Sequence, residues 1–109
     1  MLLKNLIQEA GVIKSVGDLN LDITNIHSDS RKIKEGGLFF AINGFSKNGI
    51  EFIENAIEKG AKAIIVEKDE DVQVLNKKYE MPIISVEDTR KALAKVACNF
   101  YDNPSKKLK

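Results

Sequence analysis

His27, Ser28, Asp29, Ser30 and Arg31 stand in a row, bringing together an imidazole, two hydroxyls, a carboxylate and a guanidinium. A second polar stretch, Gly44-Phe45-Ser46-Lys47-Asn48-Gly49, follows the apolar run Leu38-Phe39-Phe40-Ala41-Ile42. Each hydroxyl is both donor and acceptor and suits the edge of a flat polar ring. Arg31 and Lys47 supply positive charge for an anion such as a diphosphate, where each charge-assisted hydrogen bond contributes roughly 1.5 to 3 kcal/mol when sheltered from water. Gly44 and Gly49 free the second stretch to turn and to approach a ligand closely. Asp29 and Arg31 read equally well as an ion pair that fixes a turn, and Lys47 as a solvated loop lysine. Both readings stay open on the residues alone.

Chemistry beyond binding is hard to assemble from this chain. It contains no G-x-x-x-x-G-K-[ST] loop, no G-x-G-x-x-G after a strand, no nucleophile elbow and no zinc signature. A single histidine beside a strand reads as a structural hydrogen-bonding residue, and one His with one Cys cannot make a zinc site without several carboxylates. No bound metal is expected.

The elements that must position these residues follow from apolar spacing. Leu2, Leu3, Leu6, Ile7 and Ala10 predict a short amphipathic helix that Gly11 ends. Val12 to Ile26 is irregular, with VGDLNLD as a turn region and DITNIHS as a strand. If that strand runs on through Ser30, alternation sends Ser28 and Ser30 to one side and Asp29 to the other. Gly36-Gly37 is a turn before LFFAI, a strand buried on both faces that Asn43-Gly44 ends. Ile50, Phe52, Ile53, Ala56 and Ile57 share one helix face up to Gly60, and AKAIIVE then reads as another buried strand. A charged helix within 69–79, the strand MPIISV, and a helix over about 89–101 capped by Asp88 complete the series. The last helix places Ala92, Leu93, Val96, Ala97 and Phe100 inward, with Cys98 read as a small core residue beside them, and Asn103-Pro104 stops it. The fold class is α/β: a three-layer α/β/α arrangement around a mixed, mostly parallel sheet of about five strands.

Composition sets the outer bounds. The 109 residues suffice for one domain, with 43% hydrophobic and 30% charged residues and a formal net charge of +1. That balance lacks the concentrated basic surface that binding a nucleic acid or an anionic membrane relies on, so neither is expected as a partner. No apolar run approaches the ~20 residues that cross a bilayer, and Lys4, Asn5, Gln8 and Glu9 break the opening stretch as a signal peptide. A cytoplasmic protein is expected.

The string DSRKIKEGGLFFAINGFSKNGIEFIENAIEKGAKAIIVE resembles the N-terminal domain of the Mur ligases that add the third peptide residue, or the terminal dipeptide, to a UDP-linked peptidoglycan precursor. The pattern that carries the resemblance is Asp29-Ser30-Arg31, Gly36, Leu38 to Ala41, Gly44, Asn48-Gly49 and Gly60-Ala61. It departs from the family at Asn48, where Asp is usual, and at Ile50, where His is frequent. A helix closing in Phe100-Tyr101 and followed by Asn103-Pro104-Ser105 resembles the third-residue ligases more than the dipeptide-adding ones.

The resemblance implies that residues 1–109 are a domain that holds the uridine-diphosphate end of UDP-N-acetylmuramoyl-L-alanyl-D-glutamate. Ser28 and Ser30 would contact the uridine, and the loop Gly44, Phe45, Ser46 and Lys47 the rest of that end, with Asp29 and Arg31 beside them. ATP and Mg2+ would serve the full-length enzyme in a central domain partnering this one, which itself would bind no cofactor and be inactive alone. The alternatives are the N-terminal domain of the dipeptide-adding ligase and a regulatory or interaction module that keeps the fold without binding nucleotide.

Overall fold

The computed structural model describes residues 2–42 and 49–101. Its strands are β1 (Val12–Val16), β2 (Asn25–His27), β3 (Gly37–Phe40), β4 (Ala61–Glu67) and β5 (Ile83–Val86), joined in one sheet of order β1-β5-β4-β3-β2. β2 to β5 pair in parallel, and β1 is antiparallel to β5. The helices are α1 (Leu3–Leu6), α2 (Ile53–Glu58), α3 (Val72–Tyr79) and α4 (Thr89–Tyr101). The mixed, mostly parallel sheet of the expected fold class is therefore found.

Alternation along the strands divides the core in two. Leu38 and Phe40, Ala63 and Ile65, and Ile84 and Val86 pack with Leu3 and Leu6 of α1 and Ala92 and Val96 of α4. Phe39, Ile64, Val66 and Ile83 pack on the opposite face with Ile53 and Ala56 of α2 and Val72 and Leu75 of α3. Burying a side chain such as Phe40, fully enclosed here, contributes about 1.5–3 kcal/mol, so a strand apolar on both faces belongs inside the sheet. The steps from β2 to β3 to β4 to β5 all move the same way across the sheet. Right-handed crossovers then put every connection on one face, and Ile33 from the β2–β3 connection indeed shares the core of α2 and α3.

Three local expectations are corrected. The opening helix is only α1, because the chain turns after Leu6 with Glu9 at φ 61 and Gly11 at φ 78, although Ile7 and Ala10 remain buried. The supposedly irregular stretch contains β1, an edge strand exposed from Val12 to Ser15 that carries no inside–outside alternation to read. Its pairing slips between Val12 and Lys14, where the Ser85 hydroxyl accepts from the Lys14 amide at 3.2 Å in place of a ladder partner. Cys98 is exposed rather than in the core, since it lies about 200° around α4 from the buried Val96.

The remaining helices start where carboxylates allow. Asp71 Oδ1 accepts from the amides of Gln73 at 3.0 Å and Val74 at 3.2 Å, and Asp88 Oδ1 from those of Arg90 at 2.9 Å and Lys91 at 3.2 Å. Asn103 and Pro104 lie outside the described residues. Among the described residues no helix is long and apolar enough to cross a membrane.

Candidate functional site

β2 ends at His27, and the chain then leaves the sheet instead of running on as a strand. The cause is Asp29. Its side chain accepts from the Arg31 amide at 3.0 Å and so caps a 3-10 turn over Ser30–Lys32. A short carboxylate that bonds the backbone two residues ahead competes directly with a sheet ladder, which overturns the expected strand alternation of Ser28, Asp29 and Ser30. Ser28 ends exposed and Ser30 buried, with 4% of its surface accessible.

Arg31 then folds back on the same carboxylate, with Nε 3.2 Å from Asp29 Oδ1 and Nη2 3.0 Å from Oδ2. The ion pair of the turn-fixing reading is present. These bonds, first from the guanidinium and then from the Arg31 amide, bring the Asp29 carboxyl down to about 2. Arg31 is 85% exposed, so the pair contributes little to global stability. It fixes the shape of the turn and leaves guanidinium N–H groups unused. His27 is held below its usual 6.5, first by burial and then by Lys32 and Lys34, with Asp29 opposing; its ring is neutral at neutral pH.

The return to β3 is tied just as closely. Asn25 Oδ1 accepts from the Lys34 amide at 3.1 Å, the Thr24 hydroxyl donates to the Glu35 carbonyl at 2.7 Å, and the expected Gly36-Gly37 turn docks through the Gly36 amide on the Gly60 carbonyl at 2.9 Å. Ser28 to Arg31 are thereby presented at the carboxyl ends of β2 and β3.

A cleft of about 430 Å³ opens there. Ser28, Asp29, Ser30 and Arg31 line it from the β2 side, Phe39 from β3 and Ile42 from just past its end, and Phe52 and Asn55 from the cap and first turn of α2. The structure thus brings together the four predicted residues of the first polar stretch. Gly44, Phe45, Ser46 and Lys47 lie outside the described residues. Phe39, Ile42, Phe52 and Asn55 were not singled out as site residues. Phe52 and Asn55 stand three apart, a spacing that puts both on one helix face, and this was the signal available for them. Among the described residues no three His, Cys, Asp or Glu side chains come together as metal ligands.

The mostly parallel α/β sheet thus carries an apolar-walled, hydroxyl-edged cleft beyond the carboxyl ends of adjacent strands, the usual place for ligands in such sheets. Residues 22–101 match the family described as "Mur ligase family, catalytic domain", and the chain belongs to the Mur ligase family. It is 46% identical over 109 residues to UDP-N-acetylmuramoyl-L-alanyl-D-glutamate--2,6-diaminopimelate ligase 1 of Clostridium acetobutylicum, matching all of this chain and 22% of that protein. It is 49% identical over 108 residues to the corresponding ligase of Clostridioides difficile, covering 99% of this chain and 21% of that protein. The chain therefore spans about a fifth of the length of these relatives. Among solved structures, MurF ligase from Thermotoga maritima in complex with ADP superimposes with a TM-score of 0.54 at 32% identity, covering 72% of this chain and 17% of that one. A MurF structure from Acinetobacter baumannii gives 0.57 at 26% identity, over 77% and 17%.

Proposed function

We propose that this chain is the domain of a third-residue Mur ligase that binds the uridine-diphosphate end of UDP-N-acetylmuramoyl-L-alanyl-D-glutamate. The observation that carries this reading is the single cleft that collects Ser28 and Ser30 beside the apolar residues Phe39, Ile42 and Phe52. A pyrimidine ring needs both: apolar surface against its faces and hydroxyls or amides at its edge. Ser30 lines the cleft and no hydrogen bond to its hydroxyl is found among the described residues, which leaves that hydroxyl available to a ligand there. The Gly44, Phe45, Ser46 and Lys47 loop begins in sequence just past Ile42, itself a cleft residue, and that continuity supports its assignment to the diphosphate.

In the full-length enzyme this domain acts as an anchor. Holding the nucleotide end fixes the direction in which the substrate's distant terminal carboxylate extends and reduces the orientational entropy of the reaction. ATP with Mg2+, bound by the remainder of the protein, supplies the phosphoryl group that activates that carboxylate toward the amine of the incoming diamino acid. The isolated chain is inactive on this reading, and the use of ATP and a UDP-linked precursor makes the protein cytoplasmic. The dipeptide-adding MurF structures share the fold at 26% to 32% identity, whereas the diaminopimelate ligases reach 46% to 49%, which favours third-residue addition.

Calorimetric titration with UDP tests the proposal. Binding is expected at millimolar or lower concentration, and Ser30→Ala is expected to weaken it several-fold, in line with a net hydrogen-bond contribution of about 1 kcal/mol. Absence of binding at millimolar UDP would overturn it.

A further inference from the structure

We propose that Asn55, on the α2 side of the cleft, is a base-reading residue whose carboxamide pairs with the N3–H and a neighbouring carbonyl of the bound uracil. The inference rests on the reading of the cleft as the uridine-diphosphate site and adds to it a contact from the opposite flank to Ser28 and Ser30.

Asn55 lines the cleft together with Phe52, the residue one helical turn before it. α2 is anchored by Ile53 and Ala56, both fully buried, so its orientation over the sheet is set by packing and the cleft-facing positions follow from it. Asparagine is a poor helix former whose usual place in a helix is the cap, where its side chain bonds the first free amides. Asn55 has no such role: the cap position of α2 is Phe52, which provides no side-chain cap. No hydrogen bond engages the Asn55 carboxamide among the described residues, while its main-chain carbonyl takes part in closing the helix on Lys59. A donor and an acceptor on one planar group thus stand at the cleft beside an apolar wall, exposed and without a protein partner among the described residues.

Uracil presents the complement. Its N3–H is flanked by carbonyl oxygens, so Oδ1 of Asn55 can accept from N3–H while Nδ2 donates to the adjacent oxygen. The division of labour that results is apolar contact from Phe39, Ile42 and Phe52 on the ring, and a two-point edge contact from Asn55.

The test is a cycle between protein and ligand. UDP and 3-methyluridine 5′-diphosphate, in which a methyl group replaces the N3 hydrogen, are titrated calorimetrically into the unaltered chain and into Asn55→Ala. The side chain is exposed and unbonded, so the variant is expected to melt with the parent. Asn55→Ala should weaken UDP about tenfold, and N3-methylation should cost the parent about tenfold but the variant less than about twofold, because the contact it blocks is already gone. An equal methylation penalty in both proteins, or unchanged UDP affinity in Asn55→Ala, would overturn the role of Asn55 while leaving the nucleotide site standing. No UDP binding by the unaltered chain would overturn the nucleotide site, and this inference with it.

Discussion

Asp29 and Arg31 close a ring on each other: the Arg31 amide meets Asp29 Oδ1 at 3.0 Å while its guanidinium returns to both carboxylate oxygens, Nε at 3.2 Å and Nη2 at 3.0 Å. The turn that carries Ser30 favours the ionised form of this carboxylate. Folding depresses the Asp29 pKa from 3.8 to about 2, so protonation favours the unfolded chain. The contribution is complete above 3.8 and is lost as pH falls from there through about 2. A carboxyl-carbon NMR titration should show a midpoint near 2 for Asp29. Arg31→Ala should raise that midpoint yet leave it below 3.8, since the backbone amide of residue 31 still donates. A native midpoint at the ordinary aspartate value would contradict the described turn.

Gly60 is the second fixed point of the site. Its φ is +114, and a Cβ there would lie 2.5 Å from Glu35 Cα and 2.8 Å from Glu35 N. Gly60→Ala combines left-handed strain with a backbone collision and should destabilise the domain by at least about 2 kcal/mol. Urea unfolding with an unchanged slope measures it. A loss below a few tenths of a kcal/mol would mean that the Gly36-Gly37 turn does not dock on Gly60.

Cys98, the chain's one cysteine, faces outward from α4. A disulfide thiol reagent should titrate one equivalent in the native chain, at a rate close to that in urea. Reaction only after unfolding would restore the core position its apolar neighbours suggested.

How far these features could be read in advance depended on burial. β3, β4 and β5 are apolar on both faces and stood out as continuous runs, and Asp88 marked the start of α4. β1 did not, because an exposed edge strand has no inside to alternate against. Ser28 to Arg31 were recognisable as a polar cluster from their types alone. Their geometry was not, because Asp29 can pair with a sheet or cap a turn and the outcome depends on what the next residues offer. Phe52 and Asn55 reach the cleft only through the crossover that lays α2 on the same face as Ile33, a relation between segments distant in sequence. Gly44 to Lys47 lie outside the described residues, and their part in the site stands on sequence continuity with Ile42.

On the proposed function uridine diphosphate enters the cleft between the Asp29-capped turn and α2. Amide NMR spectra of isotopically labelled chain, recorded across a UDP titration to millimolar concentration, measure that directly. Saturable shifts concentrated on Ser28 to Arg31, Ile42, Phe52 and Asn55, with α3 and β1 unmoved, are the predicted result. Spectra in which those amides stay in place, or move no more than Val74 and Ile13 on the far side of the sheet order, would contradict it.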